Sequence, residues 1–155
     1  MNLETHSIIQ NLQKVNSGAP WYGRAVYELL DEVDPAKAAI KPNQSGHSLL
    51  DLLYHMLTWA EFTLNRIEGK KEDLFAFDEL DWRTIDLSQH TWEKGLASFK
   101  LTHEKIIKLL EKKEDAFLEE KVDYREYNFR FLLNGLIQHN IYHHGQIAYI
   151  SKFLV

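Results

Sequence analysis

The chain has 155 residues, 45% of them hydrophobic, with four Trp, seven Tyr and eight Phe. That length and composition predict a single globular domain over residues 1–155 and exclude a disordered or fibrous chain. Eighteen basic residues against twenty-three acidic ones give a net charge of -5, and Cys is absent, which disfavours a basic phosphate-binding domain and excludes disulfides, metal thiolates and a cysteine nucleophile. No nucleic-acid partner is expected on that balance. Met1 to Gln10 is polar and acidic, unlike a secretory signal. No apolar run approaches the roughly 20 residues that span a bilayer. A cytoplasmic location without a membrane partner is therefore expected.

Helical periodicity dominates, and no long stretch alternates like a strand. Ser7 to Val15 is predicted as a first helical segment. Ser17, Gly18, Ala19 and Pro20 interrupt it, and Pro20 suits the first turn of a continuation from Trp21 to Val33. Asp34 before Pro35 reads as a cap that opens a short turn through Ala39. Lys41 to His47, with Pro42 and Gly46, is a connector. Ser48 with Asp51 three residues on resembles a capping box. The helix it opens runs to Glu68 and is ended by Gly69. Leu49, Leu53, Met56, Ala60, Leu64 and Ile67 give this helix a core face. Lys70 to Leu87 lacks a clear period and is read as a long ordered loop that packs Phe75, Phe77 and Trp82 onto the remainder. Ser88 is the candidate cap of a helix reaching Lys113, with a stripe of Leu96, Phe99, His103, Ile106 and Leu110. Asp115 to Tyr127 is a less regular link, and Asn128 caps a final helix from Phe129 to Lys152. These stripes predict an all-α four-helix bundle with a broken N-terminal helix and a long loop between the second and third bundle helices.

The final helix holds His139 and His143. Four residues advance a helix by about 400° and about 6 Å, so the two imidazoles lie on one face, a turn apart. Leu132, Leu136, Ile147 and Ile150 continue that face, which places the pair in a core-facing seam. Unpaired imidazoles there are costly to desolvate, and a shared metal ion removes the cost. The spacing equally fits one buried, hydrogen-bonded His and one exposed His. A third ligand is needed. His55, beside Leu52 and Met56 on another amphipathic helix, is the best placed, although taken alone it reads as a lone core histidine. Asp51 is read as a first-turn acid favouring the helix dipole, the alternative being a partner for the second ring nitrogen of His55. Gln146 either orients a bound group or packs between helices. His103 is a satisfied core histidine or a pocket wall. His47 is a candidate for the pocket mouth and Trp59 for the site lining, while His6 and His90 read as surface positions. No Gly-x-Ser-x-Gly, P-loop or dinucleotide glycine pattern is present.

Gly46-His47-Ser48-Leu49-Leu50-Asp51-Leu52-Leu53-Tyr54-His55 and Leu136-Ile137-Gln138-His139-Asn140-Ile141-Tyr142-His143-His144-Gly145-Gln146 resemble the two signature segments of the DinB/YfiT-like superfamily of damage-inducible helical metalloproteins. Pro20-Trp21-Tyr22-Gly23, Trp59, Trp92 and Tyr127-Asn128-Phe129 also look like family positions, so the resemblance covers nearly the whole chain. It implies a divalent metal, zinc or nickel, held by His55, His139 and His143. Where the family often has Arg or a small residue this chain has His144, a difference that leaves the three ligands intact and bears on the site rim. Three neutral imidazoles leave a coordination position open, which is the pattern of a catalytic zinc site.

The same resemblance implies a metal-dependent enzyme. Some relatives transfer a low-molecular-weight thiol, such as bacillithiol or mycothiol, to a small-molecule electrophile, and a metal can hold such a thiol as thiolate. Two alternatives stay open: hydrolysis by metal-activated water, and a non-enzymatic stress-response protein whose metal stabilises the bundle. Homodimers are common in the family, and Trp21, Trp82 and Phe153 are the candidate contacts.

Overall fold

The computed structural model describes residues 2–71 and 74–154, and the side chains of these except 74 and 75. Among them are six α-helices: α1 (Leu3–Ser17), α2 (Val26–Asp31), α3 (Leu49–Ile67), α4 (Leu74–Asp81), α5 (Trp92–Leu110) and α6 (Phe129–Ser151). A 3-10 turn spans Asp115–Glu119, and Lys121 pairs with Asn128 in an isolated bridge. The described residues form no strand, so the all-α expectation holds. No described helix is long and apolar enough to cross a membrane.

Helix α3 is central, because it packs on α5 and α6 while α1 closes the ring against α6 and α5. Its start is the expected capping box. The Asp51 N–H donates to Ser48 Oγ at 3.0 Å, and the Ser48 N–H and hydroxyl both donate to Asp51 Oδ2, at 2.8 and 2.9 Å. Its end is Gly69, whose φ of 72° is a left-handed conformation that lets the Lys70 N–H return to the Asn65 carbonyl. The face from Leu49 to Ile67 is buried, with Leu53, Met56 and Ala60 fully so. Full burial of each large apolar side chain contributes about 1.5–3 kcal/mol. Gly95 sets the closeness of α5 to α3, since a Cβ there would lie 2.9 Å from Tyr54 Cε2 and 3.0 Å from Leu53 Cδ2.

Four expectations about elements are corrected. The helix expected over Trp21 to Val33 is confined to Val26–Asp31. The Gly23 N–H bonds the Pro20 carbonyl at 3.2 Å, and the Gly23 φ of 139° closes a turn that no right-handed helix can contain. The segment read as a loop from Lys70 to Leu87 contains α4. Its eight residues are too few to show a period, and Phe77 fixes it by burying against Phe62 and Trp59, each with ring centroids 4.9 Å away. Phe75 lies outside the described side chains. Ser88 does not cap α5, because its N–H and hydroxyl are taken by Asp86; Thr91 caps it instead. Helix α5 also stops at Leu110, short of Lys113. The remaining expected caps, at Asp34 and Asn128, are formed.

Candidate metal centre

His55 stands in the middle of α3, and His139 and His143 stand one turn apart on the face of α6 that packs on α3. Their Nε2 atoms converge. His139 Nε2 is 3.0 Å from His55 Nε2 and 3.0 Å from His143 Nε2. The three potential ligand atoms lie within 4.8 Å of one another. His55 and His143 are buried and His139 is half-buried.

The other ring nitrogens fix the tautomers. His55 Nδ1 faces two acceptors of Asp81, the carbonyl oxygen at 3.1 Å and Oδ1 at 2.9 Å. His143 Nδ1 faces Gln146 Oε1 at 2.5 Å. Each Nδ1 therefore carries the hydrogen, and each Nε2 points a bare lone pair inward. His139 can donate to one of them at most, and its buried Nδ1 has no partner. Burial favours the neutral form of all three rings. It lowers the pKa of His139 to about 3, helped by the neighbouring His143 and His55, and that of His143 to about 4, opposed by Gln146. Burial also lowers the His55 pKa, with Asp81 opposing.

A divalent cation fits this donor set. Zinc–imidazole bonds of about 2.0–2.1 Å in a tetrahedron separate the nitrogens by about 3.3 Å, close to the 3.0 Å found here. A cation would meet the inward lone pairs of His55 and His143, and that of His139 once its hydrogen sits on Nδ1, and such a three-ligand site keeps an open position. His55, His139 and His143 could together hold one metal ion.

The surroundings hold two residues that the sequence did not assign to the site, Asp81 and Trp82, the second of which it offered only as a packing residue and a candidate dimer contact. Asp81, the last residue of α4, accepts at Oδ1 from His55 Nδ1 and from Trp59 Nε1 at 2.9 Å, so it orients a ring of the site and a wall residue together. Trp82 stacks on His55 with ring centroids 3.7 Å apart, and His47 stacks on the outer side of Trp82 at 3.9 Å. Both Asp81 and Trp82 lie in the segment that showed no period, and an Asp-Trp pair in an aromatic stretch was the only hint of them. Trp59 lines the site, 6.1 Å from His139.

Asp51 is a capping acid and does not serve His55. His103 is the satisfied core histidine, with Nδ1 donating to the Phe99 carbonyl at 2.9 Å and Nε2 accepting from Asn140 Nδ2 at 3.0 Å. His144 is buried and faces Tyr22 at 6.0 Å, away from the other three rings. His6 is exposed as expected. His90 is half-buried, because its ring packs edge-on against Tyr54 at 4.9 Å and Nδ1 accepts from the Asp86 N–H.

Two solved structures share the fold. The colibactin self-resistance protein ClbS, solved in complex with a dsDNA, is 16% identical over 97% of both chains, with a TM-score of 0.71. A DinB-like protein of Bacillus subtilis, YjoA, is 20% identical over 95% of this chain and 91% of its own, with a TM-score of 0.65. No curated protein matches the chain. The ClbS complex overturns the expectation of no nucleic-acid partner: a protein of this fold binds duplex DNA, so an acidic net charge is no ground for excluding it. Net charge sums the whole surface, whereas a nucleic acid meets one face of it. The family model described as the DinB superfamily matches residues 23–147, which include all three converging histidines, and the chain belongs to that superfamily.

Proposed function

We propose that this protein is a metal-dependent enzyme, with zinc or nickel held by His55, His139 and His143, that transfers a low-molecular-weight thiol to a small electrophile. The observation that carries the reading is the convergence of three imidazole Nε2 atoms, two of them turned inward by acceptors behind their rings. A metal ion bound there supplies Lewis acidity that favours the thiolate form of a thiol. The chain supplies the rest. Asp81 and Gln146 hold two of the rings in the correct tautomer, and Trp82 shields His55 from solvent. The sulfur nucleophile comes from outside, because the chain has no Cys. Hydrolysis is favoured less, since it gains from a free general base and Asp81 is already engaged by His55 and Trp59. The cytoplasm, which keeps such thiols reduced, is the fitting compartment.

The test loads the protein with zinc or nickel and supplies a thiol with a chlorinated aromatic electrophile. Conjugate formation above the metal-only background is expected, and it should vanish in His139→Ala. A loaded protein that makes no conjugate with any of several thiols rules out transfer and leaves the metal centre standing.

A second reading takes duplex DNA as a partner, on the strength of the ClbS complex. A cleft of about 460 Å³ beside Trp82 carries Lys41, His47 and Arg83 together with Asp51, which puts two cations against one acid on the site's rim. Fluorescence anisotropy of a labelled duplex should rise at low salt and fall as salt is added. An unchanged anisotropy at low salt removes this reading.

A further inference from the structure

Beside the three histidines runs a groove of about 210 Å³ between α3 and α6. Its floor is a strip of α6: Phe131, Leu132, Gly135 and Leu136, ending at His139. These residues follow the i, i+4, i+8 rows of a helix, so the strip is about 12 Å long. Trp59 of α3 and Tyr127 form walls. The Trp59 ring is held in place by its bond to Asp81. Phe131 is 65% exposed, a large aromatic surface left facing the groove's side of the molecule. His139 belongs to both places: its Nε2 joins the converging set, and its ring closes the inner end of the groove. As a residue it is half-buried, where His55 and His143 are buried.

Gly135 lies one turn before His139 on the same face. A Cβ built there meets no atom within 4 Å, so packing between helices does not explain the glycine. A glycine inside a helix costs about 1 kcal/mol relative to alanine. What its missing side chain provides is open space over the groove floor.

We infer that this groove is the subsite for an apolar ring on the substrate of the three-histidine centre, and that Gly135 sets its size. The inference rests on the proposed metal centre and names the kind of substrate it takes. A cavity of about 150 Å³ with apolar walls suffices to bind benzene, so the groove accommodates one substituted ring. Thr63 also lines the groove, but its hydroxyl donates to the Trp59 carbonyl at 2.9 Å. Apart from the Tyr127 hydroxyl the strip up to His139 is apolar, so a charged group placed there would lose hydration for few partners.

The test uses the full chain loaded with cobalt(II), whose visible spectrum reports on its ligands. It is titrated with 1-methylimidazole and with 1-benzylimidazole. Both probes offer the same nitrogen to the metal, and one adds a phenyl ring. Wild type should bind the benzyl compound about tenfold more tightly or better. Gly135→Leu, whose side chain enters open space, should bring the benzyl affinity down to that of the methyl compound and leave the methyl affinity unchanged. Equal affinities in wild type, or a Gly135→Leu variant that weakens both probes alike, would overturn the groove and leave the metal centre intact. Failure of cobalt to bind at all overturns the metal centre, and the subsite with it.

Discussion

His55, His139 and His143 share one property that His103 lacks: their Nε2 atoms point at each other. His103 shows the contrast. Both of its nitrogens are answered within the protein, so it has no lone pair to offer. Removing one of the three should therefore matter in a way that removing His103 does not. His143→Ala is expected to abolish stoichiometric zinc binding, read by metal analysis after dialysis, while His103→Gln retains it. Asp81→Ala leaves the three histidines and the Asp81 carbonyl opposite His55 Nδ1 in place but removes the carboxylate acceptor, and metal affinity should fall by about tenfold, the low end for losing such a partner. An unchanged affinity would show that the Asp81 carbonyl alone orients His55 and that the carboxylate serves only Trp59. His103 carries a pH dependence of its own. Burial lowers its pKa from 6.5 to about 4, so between these values the unfolded chain binds a proton that the folded one refuses. Its contribution is whole above pH 6.5 and is lost as pH falls toward 4. Metal-free protein should lose about 2 kcal/mol of stability from this group between pH 7 and pH 5. Urea melts in chelator at the two pH values measure this, and a His103→Gln variant should show a smaller drop.

At the scale of elements, what the sequence carried well was local. The Ser48 and Asp51 pair, the Asn128 cap and the Gly69 stop are read within four residues of themselves, and each forms as expected. Ser48→Ala should cost about 1 kcal/mol in urea melts. It should also leave metal affinity nearly unchanged, because His55 lies almost two turns further along α3. Helix α4 was not legible, because a short helix held by one buried Phe has no repeating pattern to show. The start of α1 was hidden for a different reason. Asn2 makes no side-chain cap, and the Glu4 and Thr5 N–H groups are answered by Asp115, some 110 residues away. Asp115→Ala should lower the melting temperature and loosen hydrogen-exchange protection at residues 4 and 5 first. Loss of protection spread evenly over the chain would contradict this capping role.

Over the whole molecule, the centre ties helices together. His55 brings α3, His139 and His143 bring α6, and Asp81 brings α4. A metal ion that binds the folded chain and not the unfolded one adds stability by mass action, about 2.7 kcal/mol at a free concentration one hundred times Kd. Zinc should accordingly raise the melting temperature in scanning calorimetry, chelator should reverse the rise, and His139→Ala should show neither change. A wild-type melting temperature indifferent to zinc would remove the metal centre from consideration.

The sequence by itself determined the helical class, most of the caps and the pairing of His139 with His143, because a helix's periodicity places residues four apart on one face. It offered His55 as the best-placed third member, which by itself read as a lone core histidine until the resemblance singled it out, since no local spacing links positions 84 residues apart. The tertiary structure decided what the local pattern leaves free: which nitrogen of each ring faces inward, that Asp81 stands behind His55, that Trp82 covers it, and that a groove opens at His139. Those features arise where α3, α4 and α6 meet, and contacts between elements distant in sequence leave no periodic trace in any one of them.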